Sequence, residues 1–101
     1  MKIFDKDPQA VKPYPVVLYS WLEGDTLSTA SVTATGTVVV DSDNINAAEV
    51  TIGENTYPAN TVIMVWLSGG TLDETCTVTA LFTTVGGMTD RKSFQVYIAN
   101  Q

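Results

Sequence analysis

Three pairs of acidic side chains are spaced closely enough to do chemistry together: Asp5 with Asp7, Asp41 with Asp43, and Asp73 with Glu74. Two carboxylates set across a glycosidic bond hydrolyse it, one as the acid and the other as base or nucleophile. All three pairs fall in hydrophilic turns or near the N-terminus, where carboxylates are ordinarily solvated. The chain has no histidine, which removes Ser-His-Asp and Cys-His arrangements together with the commonest metal ligand. Asp41, Asp43 and Asn44 offer oxygens to a calcium ion, but the EF-hand loop with its closing glutamate is missing. Gly69-Gly70 and Gly86-Gly87 open no helix, so they read as turns and not as phosphate cradles. Cys76 has no second cysteine to pair with, and its alternation with Val78, Ala80 and Phe82 marks it as a small buried hydrophobe rather than a reactive thiol. No catalytic residue, no cofactor-binding motif and no metal site is expected.

What remains is surface. Acidic residues outnumber basic ones by eleven to five and the isoelectric point is near 4.1, which argues against a nucleic-acid partner, since a phosphate-tracking surface needs clustered lysine and arginine. No apolar run approaches the ~20 residues that span a bilayer, so no membrane partner is expected. The N-terminus carries charges where a signal peptide needs an apolar stretch, which points to synthesis and folding in the cytoplasm. A chain of 101 residues makes one domain with a core of its own.

The elements that must build such a surface are strands. Residues 1–15 hold three of the four prolines and little periodicity, so they read as an extended N-terminal arm, with a single sandwich domain over residues 16–101. Residues 16–22 form the first strand candidate, with Trp21 and Leu22 anchoring its end in the core. Residues 26–35 alternate, Ala30, Val32 and Ala34 on one side and Thr29, Ser31 and Thr33 on the other. A short strand at 37–40, a hydrophilic turn at 41–44 and a further strand at 48–52 follow. Residues 75–84 set Cys76, Val78, Ala80 and Phe82 inward, Gly86-Gly87 turns the chain, and residues 92–99 return with Phe94, Val96 and Ile98 inward and Tyr97 outward. Short strands, frequent turn signals and abundant threonine and valine give an all-β, immunoglobulin-like β-sandwich, with a small jelly roll as the alternative.

Residues 62–67, Val-Ile-Met-Val-Trp-Leu, are apolar on both faces. Ile63, Val65 and Leu67 are expected inward, leaving Val62, Met64 and Trp66 outward, where the chain itself or another molecule must cover them. This row, with Tyr97 and with Pro8 and Pro13 of the arm, is the candidate protein interface. An alternative is a binding module for glycans or cell surfaces, with Tyr19, Tyr57, Trp66 or Tyr97 stacking on sugar rings.

One set of motifs is more specific. Lys6-Asp7-Pro8, Tyr14, Trp21-Leu22, Gly24-Asp25-Thr26, then Val65-Trp66-Leu67-Ser68-Gly69-Gly70, Val78-Thr79, Thr83-Thr84, Gly86-Gly87, Thr89-Asp90 and Ser93 run through almost the whole chain. In these the sequence resembles the small fibre–tail adaptor proteins of tailed-bacteriophage virions. Val17, Leu18, Met88 and Lys92 depart from that pattern and alter local charge contacts. The resemblance implies a non-enzymatic structural protein of a phage or prophage particle. Its partners would be other virion proteins, whether tail, fibre or head–tail components, and its many copies leave self-association in the particle open. It also implies residence in the virion after synthesis in the bacterial host.

Overall fold

A computed structural model describes residues 3–100. In chain order the elements are β1 (Ile3–Lys6), β2 (Lys12–Val17), the helical turn α1 (Tyr19–Leu22), β3 (Leu27–Ala34), β4 (Val38–Ile45), β5 (Val50–Ile52), β6 (Asn55–Tyr57), β7 (Val62–Gly69), β8 (Thr75–Thr84) and β9 (Thr89–Ile98). One sheet has the order β1-β9-β8-β3, the second β2-β7-β4, and β5-β6 is a separate hairpin. The expected all-β sandwich forms. All pairings are antiparallel except β1 with β9, which is parallel.

Period-two alternation builds the core. Ile63, Val65 and Leu67 from β7 meet Cys76, Val78, Ala80 and Phe82 from β8 and Phe94, Val96 and Ile98 from β9, all buried. Ala30, Val32 and Ala34 of β3 pack half-buried against them, with Thr29, Ser31 and Thr33 exposed. The long hairpin is β8–β9, and its strands pair from Thr83↔Thr89 to Thr75↔Tyr97.

Among the described residues of the stretch read as an arm, two segments pair with the sheets. Ile3–Lys6 lies parallel along the end of β9, and Lys12–Val17 is an edge strand of the second sheet. Proline is tolerated there because an edge strand leaves every other N–H without a ladder partner. Leu18 N–H donates to Thr61 O at 3.0 Å, so odd residues of β2, including Pro13 and Pro15, turn their nitrogens away from β7. Tyr14, between the prolines, and Val16, after them, fill the inward positions.

Two expectations are corrected. The strand expected over residues 16–22 is the end of β2 and stops at Val17, and residues 19–22 make one helical turn that stops at Glu23 (φ 48°) and Gly24 (φ 95°). Leu22 is buried, whereas Trp21 stays 37% exposed, its ring edge-on to Phe82 at 5.0 Å. The hydrophilic stretch 41–44 is a strand and not a turn: β4 continues to Ile45 across a bulge between Val40 and Ser42. A bulge of one residue lets polar and apolar side chains keep their faces after the irregularity. Asp41 at the bulge accepts a hydrogen bond from Ser68 Oγ at 2.9 Å.

Candidate functional site

The outer face of the three-stranded sheet is built from the residues of β2 and β7 that point away from the core. Register places Pro13 beside Trp66, Pro15 beside Met64 and Val17 beside Val62. On the other flank β4 sets Ser42 beside Trp66 and Asn44 beside Met64. A strip of apolar side chains therefore runs along this sheet, bordered by a polar edge. Trp66 is 39% exposed at one end, Met64 is half-buried in the middle, and Val62 at the other end is fully buried. The strip is graded, so its open half lies around Trp66, Pro13 and Met64.

At the Val62 end the main chain is tied to the neighbouring loop. Asn46, itself buried, accepts hydrogen bonds on Oδ1 from the N–H groups of Thr61 and Val62, both at 3.0 Å. Its Nδ2 donates to Ala48 O at 3.0 Å and Pro58 O at 2.9 Å. Every polar valence of this amide that points inward is used, and the base of the β5–β6 hairpin is tied to the start of β7.

The other sequence-derived interface residues lie elsewhere. Tyr97 is on the outer face of the four-stranded sheet, and its hydroxyl donates to Asp73 Oδ1 at 2.9 Å, an acceptor that pushes its pKa up. Pro8 sits half-buried in the β1–β2 loop, which is closed by Ala10 N–H donating to Asp7 O at 3.0 Å. The structure thus brings Val62, Met64, Trp66 and Pro13 onto one face and leaves Tyr97 and Pro8 off it. The aromatic residues do not make one platform for a sugar. The rings of Tyr19 and Tyr57 lie 6.1 Å apart, and neither Trp66 nor Tyr97 takes part in a ring contact among the described residues.

The acidic pairs are also separated. Asp5 faces Tyr97 across the β1–β9 ladder, Asp41 marks the β4 bulge, and Asp73 receives the Tyr97 hydroxyl. Glu74 Oε1 accepts from Thr37 Oγ1 at 2.6 Å, Thr37 N–H at 3.0 Å and Cys76 Sγ at 3.0 Å. These donors, Thr37 foremost, hold its pKa down at about 2. Among the described residues no three His, Cys, Asp or Glu side chains come together as a metal site.

Two motif pairs that are remote in sequence prove to be contacts. Lys6 is fully buried, and its Nζ donates to Gly69 O at 2.6 Å and Asp7 O at 2.9 Å, so the Lys-Asp-Pro and Ser-Gly-Gly motifs meet in one bond. Desolvation lowers its pKa, opposed by the nearby charges of Asp7 and Asp41. Asp25 of Gly-Asp-Thr accepts from Gly86 N–H at 3.2 and 3.3 Å, which ties the helical turn to the Gly-Gly turn of the long hairpin. The burial of Lys6 and the bridging role of Asn46 left no signal in the sequence, because a lone lysine in a charged N-terminus and a lone asparagine in a loop carry no period.

Fold and surface together define a small two-sheet β protein that displays an apolar sheet face bordered on the β4 side by polar residues. Over residues 6–97 the chain matches the family described as podophage GP4 fiber-tail adaptor protein gp77, and it belongs to that family. No curated protein matches it significantly.

Proposed function

We propose that this chain is a non-enzymatic adaptor of a phage or prophage particle that joins tail or fibre proteins to the rest of the virion. It docks through the open half of the β2–β7 face. The observation that carries the reading is Trp66, 39% exposed on a strand whose inward residues are fully buried and flanked by Pro13 and Met64. An indole held by a rigid sheet offers a large contact area at little conformational cost, and such residues dominate protein interfaces. Family membership supplies the kind of partner, other virion proteins, and supports residence in the particle.

The test is Trp66→Ala, read by incorporation into purified particles and by melting temperature. A change of about 2 kcal/mol or more in association with the virion partner is expected. The melting temperature should move by only a few degrees, because more than a third of the ring is already in water. Wild-type incorporation of the variant would overturn the assignment of this face. A large fall in melting temperature would make Trp66 a core residue instead.

A further inference from the structure

Strand β9 is paired along its whole length on one side and along only part of it on the other. β8 accompanies it from Thr89 to Tyr97, whereas β1 covers only Gln95–Ile98. From Thr89 to Ser93 no strand lies on the second side among the described residues. Main-chain parity fixes what this open edge displays. Ile98 N–H donates to Glu74 O at 2.9 Å and Ile98 O accepts from Asp73 N–H at 2.8 Å, both toward β8. Ala99 N–H donates to Lys6 O at 2.8 Å, toward β1. Carried back by steps of two, this aims the N–H and C=O groups of Ser93, Arg91 and Thr89 at the empty side. The Arg91 N–H is met there by the Asp90 carboxylate at 2.8 Å, a local cover that a ladder bond would replace.

Beside this edge runs a groove of about 580 Å³ between the two sheets and the β5–β6 hairpin. Phe94 and Lys92 line it from β9, Val16 from β2, Ile52 and Tyr57 from the hairpin and Phe4 from β1. Free main-chain groups and a mostly apolar groove at the same residues are the two parts of a strand-addition site: the first supplies affinity and register, the second takes alternate side chains. Arg91 and Lys92 add a sign. They are two of only five basic residues in a chain with eleven acidic ones, and no ion pair holds either among the described residues.

We propose that the Thr89–Ser93 edge receives an extended segment of a partner virion protein as an added strand. That segment places an apolar side chain in the groove beside Phe94 and, on its other face, acidic side chains against Arg91. This rests on the adaptor reading for the origin of the segment, and on the edge and groove alone for its chemistry. Charged residues on an exposed edge also discourage unwanted pairing, so entry is selective for a complementary strand.

The test titrates the ¹⁵N-labelled full chain with the peptide acetyl-EVEFEVE-amide, with acetyl-KVKFKVK-amide and a proline-centred acetyl-EVEPEVE-amide alongside. Saturable amide shifts at Thr89, Arg91, Ser93 and Tyr57 are expected for the first peptide, with at least tenfold weaker binding of the other two. Ser93→Pro, which removes an edge N–H and no ladder bond, should abolish the shifts. Should that variant fold poorly, Arg91→Glu with Lys92→Glu should reverse the preference toward the lysine peptide. Absence of saturable shifts at the edge, equal binding of all three peptides, or a mass showing that a second copy already fills the edge would overturn the proposal. Because the Trp66→Ala particle assay does not read this edge, failure of the peptide titration leaves the adaptor reading standing, and the converse also holds.

Discussion

The Tyr14 hydroxyl is the single buried side-chain polar atom without a hydrogen-bond partner among the described residues. Its ring is 2% exposed, packed edge-on to Phe4 at 5.2 Å and stacked with Phe94 at 6.3 Å, and burial pushes its pKa up to about 12. A buried hydroxyl with no partner costs about 1–3 kcal/mol of lost hydration. Tyr14→Phe keeps the packing and removes that cost, so it should raise stability by about 1 kcal/mol, read as a higher melting temperature. Lys6 is the opposite case: equally buried, but with two carbonyls as acceptors. Glu74 gives a pH prediction. Its pKa lies at about 2 in the folded protein against an ordinary 4.5. Below pH 4.5 the unfolded chain takes up a proton that the folded one refuses until about 2, so this contribution is full above 4.5 and falls away through that window. Glu74→Gln should therefore melt below wild type at pH 7, and the gap should close as pH falls toward 2. A gap that is constant with pH would show that the three donors do not favour the ionised form.

At the scale of elements, the strands legible in the sequence were those whose alternation is apolar throughout. Ile63, Val65 and Leu67, then Cys76 to Phe82, then Phe94 to Ile98 each fill one side of the core, and in each the intervening residues are polar or lie on a second apolar face. β2 was not legible, because proline signals a break unless the strand is known to be an edge, and edge status depends on pairing with β7 some 50 residues on; β1 is four residues long and its partner β9 lies at the far end of the chain. β4 was hidden by its polar residues 41–44, which a bulge carries through. The apolar row at Val62, Met64 and Trp66 was legible, but which part of it stays open was not, since the exposure falls from Trp66 to a fully buried Val62 along one uniformly apolar run. The groove at β9 joins residues of five strands and leaves no local trace. Turn glycines were legible as turns, and the structure adds why one of them resists change. Gly70 has φ 109°, and a Cβ there would stand 2.6 Å from Ile98 Cδ1 and 2.8 Å from its Cγ1. Gly87 has φ 94° and open space around it. Gly70→Ala should cost about 1–3 kcal/mol through overpacking in addition to its backbone strain, whereas Gly87→Ala bears the strain alone. Chemical denaturation of the pair separates the two terms, and equal losses would mean that Ile98 yields freely.

For the whole molecule, the question is whether the N-terminal residues belong to the folding unit or are an attachment that assembly alone requires. Phe4 packs its ring against Tyr14 at 5.2 Å and Phe94 at 5.3 Å, and so joins both sheets at the edge where they would otherwise part. Lys6 closes the same end by bonding Gly69, at the exit of β7, and Lys6 O receives Ala99 N–H at the end of β9. Four residues of β1 thus hold three strands that are remote in sequence. Long-range pairing of this kind is what makes small β domains unfold as one unit, because no hairpin retains its core face alone. Removal of residues 1–8 should therefore lower the melting temperature by well over ten degrees or abolish the cooperative transition, with loss of Tyr14 burial visible in its near-ultraviolet signal. An attached arm behaves differently: the shortened chain would melt as wild type and lose only its association with partners. In the first outcome β1 cannot be lent to a neighbouring subunit without unfolding the donor, so the two surfaces proposed above, the β9 edge and the Trp66 face, must act on a chain whose N-terminal strand stays in place.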